Sequence, residues 1–216
     1  MRKLILCLAM FMITQPAASA AFLKGSVEYK DLARLSGEGL QALKETEFSV
    51  FLANVRLAAA RNAGEDAREA LKKAENEREN ERLNLKAAEA EHKAAEAAQD
   101  GDRLSKAKQS VERAKDAVKP AELLVKWRQK AFDASKAGVR KAKLALEVAE
   151  TKRDMARIDR LVLEGVPTSK KYSRPDYEAK LKRVQQDHMK AIEREKREMS
   201  AAEQLRAQYE KAAALK

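Results

Sequence analysis

From Val50 to Ala95, and again from Leu104 to Leu163, apolar or small residues return at alternating steps of three and four. That spacing keeps one face of a helix turned toward a partner helix, which is the heptad signature of a coiled coil. The first run passes through Val50, Ala53, Leu57, Ala60, Gly64, Ala67, Leu71, Ala74, Leu85, Ala88, His92 and Ala95, with Arg78 and Glu81 as polar interruptions. The second passes through Leu104, Ala107, Val111, Ala114, Val118, Ala121 and onward to Leu163. Only Asp100-Gly101-Asp102 breaks the helical pattern between them. Folding the chain back there pairs Ala95 with Ala107, Ala88 with Ala114, Ala60 with Ala142 and Ala53 with Ala149. The alternate layer then pairs Leu85 with Val118, Leu71 with Phe132 and Leu57 with Leu146. One register serves the whole length, which two unrelated heptad runs would rarely achieve. The expected element is an antiparallel, alanine-rich hairpin over residues 40–164, with helices of about 40–99 and 102–164 and a tip at 100–102. At 1.5 Å per residue it would be roughly 90 Å long.

A third helix follows. Gly165 stands where a helix C-terminus favours glycine, and the loop 165–174 holds Pro167 and a basic run. Ser173 with Asp176 reads as a cap with Pro175 in the first turn, opening a helix over 175–216. Its line is Tyr177, Leu181, Val184, His188, Ala191, Glu195, Glu198, Ala202, Leu205, Tyr209 and Ala212. The second helix carries a further stripe to receive it: Trp127, Ala131, Ala134, Gly138, Ala145, Val148, Met155 and Val162. Antiparallel docking sets Tyr177 on Val162, Val184 on Met155, Leu205 on Ala134 and Ala212 on Trp127, with Lys141 opposite Glu198. The fold class is therefore all-α: a long antiparallel coiled-coil hairpin with a third helix packed on its base, an elongated three-helix bundle. A two-helix prong over about 76–126 extends beyond the base. Phe48, Phe51, Leu52 and Val55 make the first helix apolar nearly all round, which predicts burial by more than one partner. Residues 21–39 form a lead-in with a short helix around Val27–Leu35, stopped by Ser36-Gly37-Glu38-Gly39.

Residues 1–20 read as a secretory signal. Arg2 and Lys3 precede an apolar stretch from Leu4 to Ile13, and Ala18-Ser19-Ala20 supplies a cleavage site. The stretch is far shorter than the ~20 residues that span a bilayer. Cys7, the single cysteine, follows Leu6, whereas a lipoprotein signal wants a small residue there. A mature chain from Ala21 has no disulfide, thiolate metal site or cysteine nucleophile. Losing Arg2 and Lys3 lowers the net charge from +11 to +9. With 37% of residues charged and 5% aromatic, the composition favours long helices over a compact globule. The sequence thus points to export, to the periplasm, and to no transmembrane segment in the mature chain. Expected partners are an envelope protein or an anionic envelope polymer, with self-association left open. Nucleic acid is not expected, because aromatic stacking platforms are missing.

No catalytic, cofactor-binding or metal-ligating residue is expected. His92 and His188 sit on separate helices without the i, i+4 spacing of a helical zinc site. Glu75, Glu77, Glu79 and Glu81 alternate with Asn76, Arg78, Asn80 and Arg82, so their charges are largely answered nearby. Two features remain. Arg78 and Glu81 interrupt the first seam at the height where Pro120 enters the second helix, and an interior proline costs ~3 kcal/mol unless a kink accommodates it. Pro120, Arg78 and Glu81 therefore mark either a bend facing solvent or a hinge of the prong. Trp127, the single tryptophan, lies beside Leu123 and Leu124. These three are either capped by the end of the third helix or a partner contact.

Lys216 is similar, as one residue, to the terminal lysine through which the small outer-membrane lipoprotein is attached to peptidoglycan. In outline, a basic, exported chain with a helical hairpin resembles the Skp-type periplasmic chaperones, and the hairpin is similar to the arms of efflux adaptor proteins. The first likeness implies a holdase for unfolded outer-membrane proteins. Neither the β-strand body of the chaperones nor the lipoyl and barrel domains of the adaptors has a counterpart in this sequence, so no family is assigned. The expected function is non-enzymatic: scaffolding, spacing or binding of cell-envelope components, with a Skp-like holdase as the alternative.

Overall fold

The computed structural model describes residues 27–168 and 172–214. The expected signal segment with Cys7, residues 21–26, part of the 165–174 loop and Lys216 lie outside the described residues. Among the described residues five helices follow in order: α1 (Tyr29–Leu32), α2 (Gly37–Ala42), α3 (Lys44–Ala97), α4 (Gly101–Leu163) and α5 (Arg174–Ala213). No strand occurs among the described residues. α4 is the central element, with α3 and α5 each packed along it. The molecule is the elongated all-α three-helix bundle that the heptads predict. Its 54-residue α3 and 63-residue α4 run ~80 and ~95 Å at 1.5 Å per residue.

The hairpin seam follows the sequence pattern. Val50, Ala53, Leu57, Leu71, Ala74, Ala88 and Ala95 are the buried residues of α3, and all of them stand on the predicted line. Its remaining positions are half-buried. A Cβ placed on Gly64 would lie 3.7 Å from Val139 Cγ2, one heptad from Leu71 with Phe132 and from Leu57 with Leu146. Arg82 Nη2 reaches Glu122 Oε1 across the two arms at 2.9 Å.

The turn differs from expectation by about two residues. Ala98, Gln99 and Asp100 make it, with Gln99 at φ 53°, and Gly101 already opens α4. Asp100 decides the boundary, because its Oδ1 accepts from Arg103 N at 3.1 Å and so satisfies a free amide of the first turn. The same chemistry corrects the lead-in. Ser36 starts a helix instead of stopping one, its Oγ accepting from Gly39 N at 2.9 Å. Gly165 does close α4 with φ +64°, and Val166 N donates to Leu161 O at 3.0 Å, as in a Schellman cap. Ser173 occupies the α5 N-cap with Pro175 behind it, but its side chain makes no cap hydrogen bond.

The base is where docking departs most from the pattern. Val27, Leu32, Leu35 and Leu43 form a core with Ile158 and Leu161, and Tyr177 packs beside them. Val162 and Leu163, which the stripes place inside, are instead 74% and 73% exposed. The lead-in competes for the end of α4 and wins its Ile158–Leu161 side. Along α5 the buried residues Val184, Ala191 and Ala202 lie on the predicted line, but the register slides by three residues. Lys141 Nζ meets Glu195 Oε2 at 2.5 Å, not Glu198, and Trp127 stacks on Tyr209, not Ala212. α4 offers a small residue every three or four positions, so neighbouring offsets bury similar area. Charge pairing and the ring stack then select among them.

Glu164 latches α2 to the end of α4. It accepts from Ser36 N at 2.8 Å, Ser36 Oγ at 2.9 Å and Arg160 Nε at 2.8 Å. The Ser36 backbone amide is the main reason its carboxyl sits below the usual range, helped by the Ser36 hydroxyl and Arg160 against the opposing effect of burial. A carboxyl lowered in the folded state stabilises fully above its unfolded pKa and loses that contribution as pH falls through the folded value. Amide protection at Ser36 and Gly39, corrected for intrinsic exchange, should therefore fall below the ordinary carboxylate range. Glu164→Gln should show the loosened state already at neutral pH. Identical protection in wild type and variant would remove the latch.

Candidate functional site

Three side-chain groupings could carry function, and the first is internal. Thr151, Asp154 and Arg157 of α4 are only 1%, 7% and 9% exposed. Arg157 Nε donates to Glu47 Oε1 of α3 at 2.8 Å, while Arg153 Nη2 and Arg157 Nη1 lie 3.0 and 3.6 Å from Asp154 Oδ1. Thr151 Oγ1 donates to the Glu147 carbonyl at 2.8 Å. Burial raises the neighbouring Glu150 carboxyl, with Arg153 opposing it. Each of these charges is answered within the bundle, so the group fastens α3 to α4 rather than presenting a ligand site.

The second is a ridge. Phe48, Phe51, Leu52 and Val55 are 59%, 53%, 38% and 49% exposed, and the rings of Phe48 and Phe51 stack with centroids 6.2 Å apart. Their spacing of three and four puts them on one face of α3, away from the line that α4 covers. Among the described residues no second partner covers this face, because α5 follows α4, not the outer side of α3. An exposed apolar helix face of this kind is a candidate interaction patch.

The third is a trough of about 660 Å³ over the middle of α4. Ser135, Gly138 and Ala142 line it from α4, Arg56 and Ala60 from α3, and His188, Ile192, Glu195 and Lys196 from α5. Lys141 and Glu195 pair across it. A Cβ on Gly138 would come 2.9 Å from Glu195 Oε1, so the glycine is what lets this carboxylate settle against α4.

The residues singled out from sequence fall into two places. Trp127 is half-buried, its ring centroid 5.6 Å from that of Tyr209, with the Arg128 guanidinium 4.1 Å from the ring centre. Leu123 is half-buried and Leu124 is 8% exposed, so Leu124 does not face outward. Pro120 is buried inside the continuous α4, so it does not face solvent as the first of the two expected readings had it. Glu81 is half-buried, with its carboxylate 3.4 Å from Asn84 Nδ2. Arg78 Nε is buried without a hydrogen-bond partner among the described residues. His92 and His188 are far apart in the fold, the former on the prong and the latter in the trough. Neither ridge nor trough was singled out as a site from sequence. The two phenylalanines gave a signal for the ridge, but the trough depends on where α5 lies.

The Trp127–Tyr209 stack has a direct spectroscopic consequence. Tyr209→Ala should move tryptophan emission to the red and increase quenching by iodide, with helicity retained because the α3–α4 seam is untouched. Emission unchanged from wild type would mean that α5 does not cover Trp127.

Comparison with protein-family models, with curated proteins and with solved structures found no match. Among the described residues no helix is long and apolar enough to cross a membrane, and no group of three or more His, Cys, Asp or Glu is placed to hold a metal ion.

Proposed function

We propose that this is a non-enzymatic, exported protein of the periplasm that scaffolds or spaces cell-envelope components. The carrying observation is the division of the molecule into a braced base with an open aromatic ridge and a prong in which α3 and α4 continue past the Trp127–Tyr209 end of α5. The ridge gives the base a docking face, and the prong holds a charged tip tens of ångströms away on a helix pair of fixed register. Leu104, Ala107 and Ala95 close the prong near the tip, so the two ends are joined by a stiff element, not a flexible linker.

Photo-crosslinking in intact cells tests this reading. A benzoylphenylalanine at Phe51 and another at Lys108 should capture envelope components, with different products from base and tip. Products confined to non-envelope proteins, or the same product from both positions, would contradict a spacer. The exposed ridge also favours a second reading, a holdase for unfolded outer-membrane proteins. In that case the purified chain suppresses aggregation of such a protein in a salt-sensitive way, and Phe51→Ser weakens the suppression.

A further inference from the structure

We propose that the trough between α3 and α5 binds a long-chain carboxylate, its apolar chain lying over Ala60, Gly138 and Ala142 and its head group held by Arg56 and His188. This site is separate from the ridge and does not depend on the spacing role.

Size is the first argument. About 660 Å³ falls within the range of small-molecule sites. From Ser135 to Ala145 the α4 floor is about 15 Å long at 1.5 Å per residue, the reach of an acyl chain rather than of a helix running the length of the base. Surface chemistry is the second. The floor is mostly small and apolar, with Gly138 and Ala142 buried and Ala60, Ala145 and Ile192 half-buried. The Lys141–Glu195 pair that crosses it satisfies its own charges, so an apolar chain laid beside that pair displaces water without stranding a polar group.

Charge is the third argument and selects the head group. Arg56, His188 and Lys196 line the two walls and make no hydrogen bond or ion pair among the described residues. Glu195, the one acid in the lining, is neutralised by Lys141 at 2.5 Å and drawn onto the floor by the space that Gly138 leaves. An incoming carboxylate thus meets two unpaired cations, Arg56 and Lys196, and the imidazole of His188 as a hydrogen-bonding group, without an opposing free acid in the lining. Arg56 and His188 line the trough from opposite walls, α3 and α5, and in our proposal both turn toward the one head group. The chain then points along α4 toward Ser135.

Titration of the full-length protein with sodium dodecanoate, below its micelle concentration and followed by calorimetry, tests this. The expected result is saturable binding of one molecule per chain. Arg56→Gln should weaken it about tenfold, since a hydrogen bond to a charged group contributes ~1.5 kcal/mol or more. Ala63→Trp, at an exposed position on the rim, should block the trough and abolish it. Both variants should keep the wild-type melting curve, and dodecyltrimethylammonium should bind far more weakly. Absence of saturable binding, as expected if the trough instead receives a helix of another protein, overturns the proposal. So does equal binding of the cationic amphiphile, or wild-type affinity in both variants.

Discussion

Replacing Leu161 by alanine should lower stability by about 2 to 5 kcal/mol, the transfer and cavity loss of a fully buried leucine. Leu161 is 0% exposed and shares a core with Val27, Leu32, Leu35, Leu43 and Ile158. That core joins the lead-in, the end of α4 and the start of α5, so the void borders three segments that would have to shift together to fill it. The adjacent apolar side chains cannot substitute, since Val162 and Leu163 point outward. Val162→Ala is therefore the internal control and should change stability by no more than ~0.5 kcal/mol. Urea unfolding measures both. Equal losses at 161 and 162 would show that the lead-in does not cover the end of α4.

The second large effect is expected at the alanine seam of the prong. Ala107 is 3% exposed and Ala95 is 0% exposed, so there is no room for three more carbons at either position. Ala107→Leu should destabilise by about 1 to 3 kcal/mol through overpacking. Ala90, on the same prong and exposed, tests whether leucine itself is at fault. There Ala90→Leu should stay within ~0.5 kcal/mol, because leucine is nearly as good a helix former as alanine. Thermal melts by circular dichroism separate the two. A melt of Ala107→Leu that matches wild type would mean the arms are not in close contact near the tip.

How much of this was legible in the sequence depends on which residues carried the information. The α3 and α5 lines were read correctly because each helix has one buried face and a partner on that face alone, so apolar spacing reports burial directly. α4 has neighbours on more than one side, and there the reading was less complete. Thr151, Asp154 and Arg157 are buried polar residues of α4, yet an apolar stripe cannot include them: Thr151 and Asp154 are satisfied by neighbours on the same helix, and Arg157 by Glu47, which is distant in sequence. Ile158 and Leu161 were missed for a related reason: the lead-in that covers them has only short helices and no heptad pattern. The three-residue error in α5 came from repeated small residues, which make adjacent registers nearly equivalent until Lys141–Glu195 and Trp127–Tyr209 are considered. The ridge was visible as an apolar excess at Phe48 and Phe51, but sequence alone could not tell an internal partner from an external one.

A rod that holds two ends apart requires α3 and α4 to keep one register along their whole length, and a cysteine pair tests that most directly. In a Cys7→Ser background, Gly64→Cys with Val139→Cys sets two thiols at a direct contact of the seam, since a Cβ at 64 lies 3.7 Å from the Val139 Cγ2 atom, the branch position that a cysteine sulfur can take. Moving the second cysteine one heptad, to Phe132, displaces it ~10 Å along the helix. Mild oxidation should give a rapid intramolecular cross-link for 64 with 139 and almost none for 64 with 132. Comparable cross-linking of both pairs, or products that are only dimeric, would contradict the hairpin register on which the proposed spacing role rests.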